Sequence, residues 1–112
     1  MPRLLGERRA LALAMLDEPI SARQAEAWGL VWKVAPRDAL DADAEALTAT
    51  LARKATKALA LTKRAMRSAF AHDLRKHLMF ERRLQMEAVM TEDVREGVAA
   101  FQERRKPVFK GL

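Results

Sequence analysis

Asp73-Leu74-Arg75-Lys76-His77-Leu78-Met79-Phe80-Glu81-Arg82-Arg83-Leu84-Gln85-Met86-Glu87-Ala88-Val89-Met90 decides the fold class. The stretch holds no glycine or proline, and its apolar residues recur at helical spacing, so it predicts one long helix. Two stripes run along it, Leu74 with Leu78 and Met79 with Met86 and Met90. Two apolar faces imply two neighbours, so this helix belongs inside a helical assembly.

Upstream, a helix is predicted to begin near Thr56, with Leu59, Met66 and Phe70 inward and Lys57, Lys63, Arg64 and Arg67 toward water. Before it, Asp38 suits an N-cap for a helix carrying Asp41, Asp43 and Glu45 in its first turns, where carboxylates complement the helix dipole. Ala44, Leu47 and Leu51 would be its buried stripe. Leu30 to Val34 is the one β-like run, and Pro36 closes it, which predicts a short extended connector. Ser21 with Gln24 has capping-box spacing for a short helix from Ala22 to about Trp28, stopped at Gly29. An alanine- and leucine-rich helix is predicted from Glu7 to Leu16.

Downstream of the long helix, Thr91 suits an N-cap, with Glu92 and Asp93 in the first turn. Val94, Val98 and Phe101 would form the buried side, and Pro107 ends the helix. The expectation is an all-α chain with at most one very short strand around Val31 to Val34. No repeat or linker divides it, so residues 1–112 read as a single helical region.

Composition narrows the function classes. The chain has 112 residues and no cysteine, which excludes disulfides and thiolate metal sites and makes a cytoplasmic location the default expectation. No apolar run approaches the roughly 20 residues of a membrane span, so no membrane partner is expected. The formal charge is +6, yet residues 53–83 alone hold ten Lys/Arg against Asp73 and Glu81, a local net of +8. Such a run is ordinarily a solvated helix face; functionally it is a field that attracts nucleic acid or a phosphorylated small molecule.

Most candidate chemistry fails on spacing. His72 and His77 are five positions apart, about 140° around a helix, and cannot share a metal as an i,i+4 pair can. The acidic cluster at Asp38 to Glu45 lacks the glycine and terminal glutamate of a calcium loop. No phosphate loop, dinucleotide fingerprint or nucleophile elbow occurs, and Ser21 and Ser68 have no supporting motif. No metal is expected.

Two features attract a functional reading. Met79, Met86 and Met90 suit core packing or an adaptable subunit contact. The stretch from Phe101 to Gly111 ends an apolar helix in Arg104-Arg105-Lys106 and sets Phe109 beside Lys110. Cations in a last turn answer the helix dipole, and guanidinium with phenyl groups also suits phosphate and ring recognition.

The tail Thr91-Glu92-Asp93-Val94-Arg95-Glu96-Gly97-Val98-Ala99-Ala100-Phe101-Gln102-Glu103-Arg104-Arg105-Lys106-Pro107-Val108-Phe109-Lys110-Gly111 resembles the C-terminal signature of the enoyl-CoA hydratase/isomerase (crotonase) family. Pro2 to Gly6, Pro19 to Ala22, Ala27 to Val31 and Leu61 to Ala65 resemble the same family in the same order, closest to its phenylacetate-pathway isomerase and hydratase branches. The sequence departs where Trp32 replaces the Asn common after Gly-Leu-Val and where Arg104 replaces the more usual Lys. The resemblance implies a C-terminal helical, trimerising region, with homo-trimers or hexamers, whose Met79, Met86 and Met90 face a neighbour. It also implies an acyl-CoA thioester as partner, with coenzyme A belonging to the substrate and no separate cofactor. By the same resemblance Arg104 contacts coenzyme A phosphates bound by a neighbouring subunit, with Phe101, Lys106 and Lys110 close by. The family's N-terminal β/α spiral core, which supplies the oxyanion-hole amides and acidic catalytic residues, has no counterpart here. No catalytic residue is therefore expected in this chain, which alone should be inactive. The alternative is a free-standing basic helical module for nucleic acid or a protein partner, disfavoured by the absence of tyrosine and of any nucleic-acid motif.

Overall fold

A computed structural model describes residues 1–112, all of them helix, turn or irregular chain with no strand. The helices are α1 (Pro2–Leu5), α2 (Glu7–Leu16), α3 (Ala22–Ala27), α4 (Leu40–Ala52), α5 (Thr56–Ser68), α6 (Leu74–Val89) and α7 (Glu92–Gln102), with a 3-10 turn at Ala69–Ala71. The all-α expectation holds. The chain divides into two compact units, Met1–Asp43 and Ala44–Leu112.

In the first unit the caps act as the sequence implies. The Ser21 hydroxyl accepts the Gln24 N–H at 3.1 Å and starts α3. α3 ends one residue earlier than expected, at Ala27, in a Schellman motif: the Gly29 N–H donates to the Glu26 carbonyl and the Leu30 N–H to the Ala25 carbonyl. Gly29 has φ +74°, the left-handed conformation that glycine adopts without a Cβ penalty. The run from Val31 to Val34 pairs with no strand; the Val34 N–H instead donates to Glu26 Oε1 at 2.9 Å. Arg9 stacks over the Trp28 ring at 5.2 Å, while Leu5, Ala10 and Ala25 are buried.

α4 corrects two expectations. It starts at Leu40 rather than directly after Asp38, because residues 37–39 form a turn closed by the Ala39 N–H on the Pro36 carbonyl. Its stripe is also uncovered, with Leu47 and Leu51 each more than two-fifths exposed and no buried residue anywhere in the helix.

The second unit is built on α5 packed against α6, and α5 turns Leu61 and Ala65 inward in place of the expected Leu59, Met66 and Phe70, which are exposed because α6 covers only the Leu61 side. Leu61, Ala65 and Leu84 form its buried cluster, with Phe80 and Ala88 packed against it. Asp73 caps α6 by accepting the Lys76 N–H at 2.8 Å. The buried side of α6 is thus a third face, through His77, Phe80, Glu81, Leu84 and Ala88. Both stripes picked out in the sequence, Leu74 with Leu78 and Met79 with Met86 and Met90, are exposed. One partner helix can cover only one face of α6, so the apolar surplus is left at the surface. Only nine residues of the chain are buried, and none of the large side chains is fully so.

Candidate functional site

The candidate site is α7 with the tail that follows it. Thr91 caps α7, its hydroxyl accepting the Val94 N–H at 3.3 Å and donating to the Ala88 carbonyl at 2.7 Å. The hydroxyl thereby ties the start of α7 to the end of α6. The buried side of α7 is not the expected Val94, Val98 and Phe101 stripe. Val98 is half exposed and Phe101 is 86% exposed. Asp93, Glu96, Gly97 and Ala100 instead, spaced i, i+3, i+4 and i+7, make the face on which the tail lies.

Small residues and two carboxylates on one face let a peptide backbone approach and be bonded. Asp93, only 3% exposed, accepts the Lys110 N–H at 2.7 Å through Oδ1 and the Gly111 N–H at 2.9 Å through Oδ2. Glu96 accepts the Val108 N–H at 2.8 Å and a fork from the Arg105 guanidinium, whose Nη2 lies 2.9 Å from Oε2. The Arg105 fork and the Val108 N–H hold the Glu96 carboxyl down at about 2. Glu96 and Glu103 together push the Arg105 guanidinium up, so this arginine is a permanently charged strut. The Phe109 ring covers Gly97, where a Cβ would stand 3.7 Å from it. Gly111, at φ +78°, sits so close to Thr56 of α5 that an added Cβ would meet Oγ1.

α7 ends in a second Schellman motif. The Arg105 N–H donates to the Ala100 carbonyl at 3.0 Å and the Arg104 N–H to the Phe101 carbonyl at 3.3 Å. Here the left-handed position, held by Gly29 at the end of α3, is held by Arg104 with φ +54°. A side chain in this conformation costs roughly 1–2 kcal/mol that glycine avoids.

The four tail residues singled out in the sequence do not form one cluster. Phe101, Arg104 and Lys106 all lie at or just past the C-terminal end of α7, exposed, and neither cation is ion-paired. The tail folds back along α7, carrying the backbone of Lys110 to the level of Asp93, about 16 Å along the axis at 1.5 Å per residue. Asp93 and Glu96 were not legible as tail anchors, because acids in and near a first turn are already accounted for by the dipole. The usable signal was the Asp93, Glu96, Gly97, Ala100 spacing, a narrow face for a backbone. Met79 and Met86 line an open groove of about 660 Å³ with His72, Lys76, Arg82 and Arg83 over Phe80.

A family model described as enoyl-CoA hydratase/isomerase matches residues 1–112. The 1,2-epoxyphenylacetyl-CoA isomerase of Escherichia coli is 40% identical over 99% of this chain, which covers 42% of that protein. A probable enoyl-CoA hydratase of Mycobacterium bovis is 38% identical over 97% of the chain and 42% of its own length. Among solved structures, an enoyl-CoA hydratase from Bacillus anthracis superposes with a TM-score of 0.91 at 34% identity, over 99% of this chain and 43% of that one. The chain thus spans about two-fifths of the length of these relatives. The family model spans the whole chain and the backbone superposes over nearly all of it, and the chain belongs to the enoyl-CoA hydratase/isomerase family.

Proposed function

We propose that this chain is the C-terminal helical part of an enzyme acting on acyl-CoA thioesters, and that it supplies a phosphate contact and a subunit surface rather than the reacting groups. The observation that carries the reading is the end of α7. Arg104 occupies a backbone position that favours glycine, neither it nor Lys106 is ion-paired, and Phe101, whose carbonyl takes the Arg104 N–H, is 86% exposed. Two free cations and an open aromatic ring at one helix end suit a phosphate adjoining a flat base. Lys110, anchored three turns away, contributes field rather than a contact at the same phosphate. Met79, Met86 and Met90 serve as the contact with a further subunit, where thioethers adapt to an irregular partner. On this reading the catalytic carboxylates and the oxyanion-hole amides belong to the rest of the enzyme, and the chain alone is not expected to turn over substrate.

Titration with coenzyme A and with duplex DNA, for wild type and Arg104→Ala, tests the assignment. Weak coenzyme A binding is expected, on the order of millimolar, because little water is excluded at an exposed helix end. It should fall with salt and with Arg104→Ala. Binding that ignores the substitution, with DNA bound more tightly through the residue 53–83 surface, refutes the reading. Crotonyl-CoA should be left unchanged by the isolated chain. Sedimentation at rising concentration should show self-association that Met79→Glu and Met86→Glu weaken.

A further inference from the structure

We infer that Glu96 is the positioning residue for Arg104, holding it in the left-handed conformation through Arg105; this rests on the phosphate-contact reading above. The two Schellman motifs of the chain make the comparison. At the end of α3 the left-handed residue is Gly29, and the next residue, Leu30, donates its N–H to the Ala25 carbonyl and has no polar side chain to anchor. At the end of α7 the left-handed residue is an arginine, and the residue after it is held at both ends. The Arg105 backbone N–H is tied to the Ala100 carbonyl, and its guanidinium is forked onto Glu96, nine residues back on the same helix. Glu96 also takes the Val108 N–H, which fixes the chain on the far side of Pro107.

Arg105 thereby closes the motif at its backbone and locks it at its side chain, and Arg104 sits immediately before that lock. The consecutive cations divide their work. Arg105 has two carboxylate partners, Glu96 and Glu103, and is spent as a strut. Arg104 and Lys106 on either side of it have none. The short polar side chain of Asp17 tolerates φ +52° at the end of α2, but an arginine has no such local compensation, so an Arg104 kept there needs surroundings that over-determine it. The Glu96–Arg105 fork, reinforced by Glu103 at the Arg105 Nε, is placed to do this and is absent from the glycine version of the motif.

The test is a double-mutant cycle on coenzyme A binding with Glu96→Gln, Arg104→Ala and the pair, read by chemical-shift titration, with amide exchange of Arg104 and Arg105 measured on the same unliganded samples. Glu96→Gln is expected to weaken binding roughly fivefold, the factor by which a side chain disfavours the left-handed region. In the Arg104→Ala background it should change binding less than twofold, since the contact it positions is gone. Exchange at the Arg105 amide should accelerate before any ligand is added. Arg105→Lys keeps the charge, loses the fork and should reproduce the effect, which guards against a poorly folded glutamine variant. Arg104→Gly should steady the helix end while weakening coenzyme A binding, a split that a purely structural role for the tail would not give. Additive losses, or Arg105 amide protection unchanged in Glu96→Gln, overturn the positioning role alone. Equal binding by wild type and Arg104→Ala removes the phosphate-contact reading and this inference with it.

Discussion

Replacing Asp93 by asparagine should release the tail without unfolding the helices it lies on. The side chain is 3% exposed and each carboxylate oxygen takes one backbone N–H, from Lys110 at 2.7 Å and from Gly111 at 2.9 Å. Asparagine keeps the shape but has one acceptor oxygen, so its amide nitrogen would point a donor at a donor. One charge-assisted bond is lost outright, worth about 1.5–3 kcal/mol, and the survivor becomes a weaker neutral one. The tail can relieve the mismatch by swinging into water, so the loss appears as tail opening rather than as buried strain. About 2 kcal/mol corresponds to an opening equilibrium on the order of 30-fold more open. Amide exchange measures it directly: Lys110, Gly111 and Val108 should exchange tens of times faster, while amides within α6 keep their protection. Rates at Lys110 and Gly111 within threefold of wild type would refute the claim that this carboxylate anchors the tail.

Other outcomes follow from the packing. Leu84→Ala should destabilise the α5 and α6 pair by about 2–3 kcal/mol, the lower part of the usual range, because Leu84 also lines an open groove into which its neighbours can relax. Denaturant unfolding followed by far-ultraviolet circular dichroism checks this, and a loss below about 1 kcal/mol contradicts a core centred on Leu61, Ala65 and Leu84. Gly97→Ala should stabilise by about 0.5–1 kcal/mol, since helix propensity improves and the new methyl meets Phe109 at an ordinary 3.7 Å. Gly111→Ala should cost about 1–2 kcal/mol through its positive φ and its collision with Thr56. Equal thermal shifts from the two glycine variants would mean that the tail does not pack as described. In acid, Glu96 is the group to follow. Its native carboxyl titrates at about 2 against an ordinary 4.5, so its contribution is complete above pH 4.5 and is lost as pH falls toward 2. The Val108 amide resonance should report that loss, and Glu96→Gln should abolish it; a midpoint near 4.5 in wild type would show that the Arg105 fork does not form in solution.

Local features of this chain were legible from residue order because their causes are local. Ser21, Asp73 and Thr91 cap helices through bonds to amides three residues on, and Gly29 stops α3 because it alone lacks the Cβ that a left-handed residue must accommodate. Helix boundaries at Glu7, Thr56 and near Met90 came from the same short-range information. Which apolar stripe is buried was not local. α6 offers three candidate faces, and only packing against α5 selects the one through Leu84, leaving Met79, Met86 and Met90 in water. α7 turned its expected buried stripe outward for a like reason. Asp93 and Glu96 bind amides 12 to 18 residues away across a fold-back, a partner choice that no short window along the sequence contains. Residue types therefore determined that helices form and where they stop. Only the tertiary structure decided that Arg105 is a strut, that Arg104 is held left-handed beside an open Phe101, and that Lys110 is carried away from both, because each depends on a chain reversal that brings distant backbone onto one narrow face of α7.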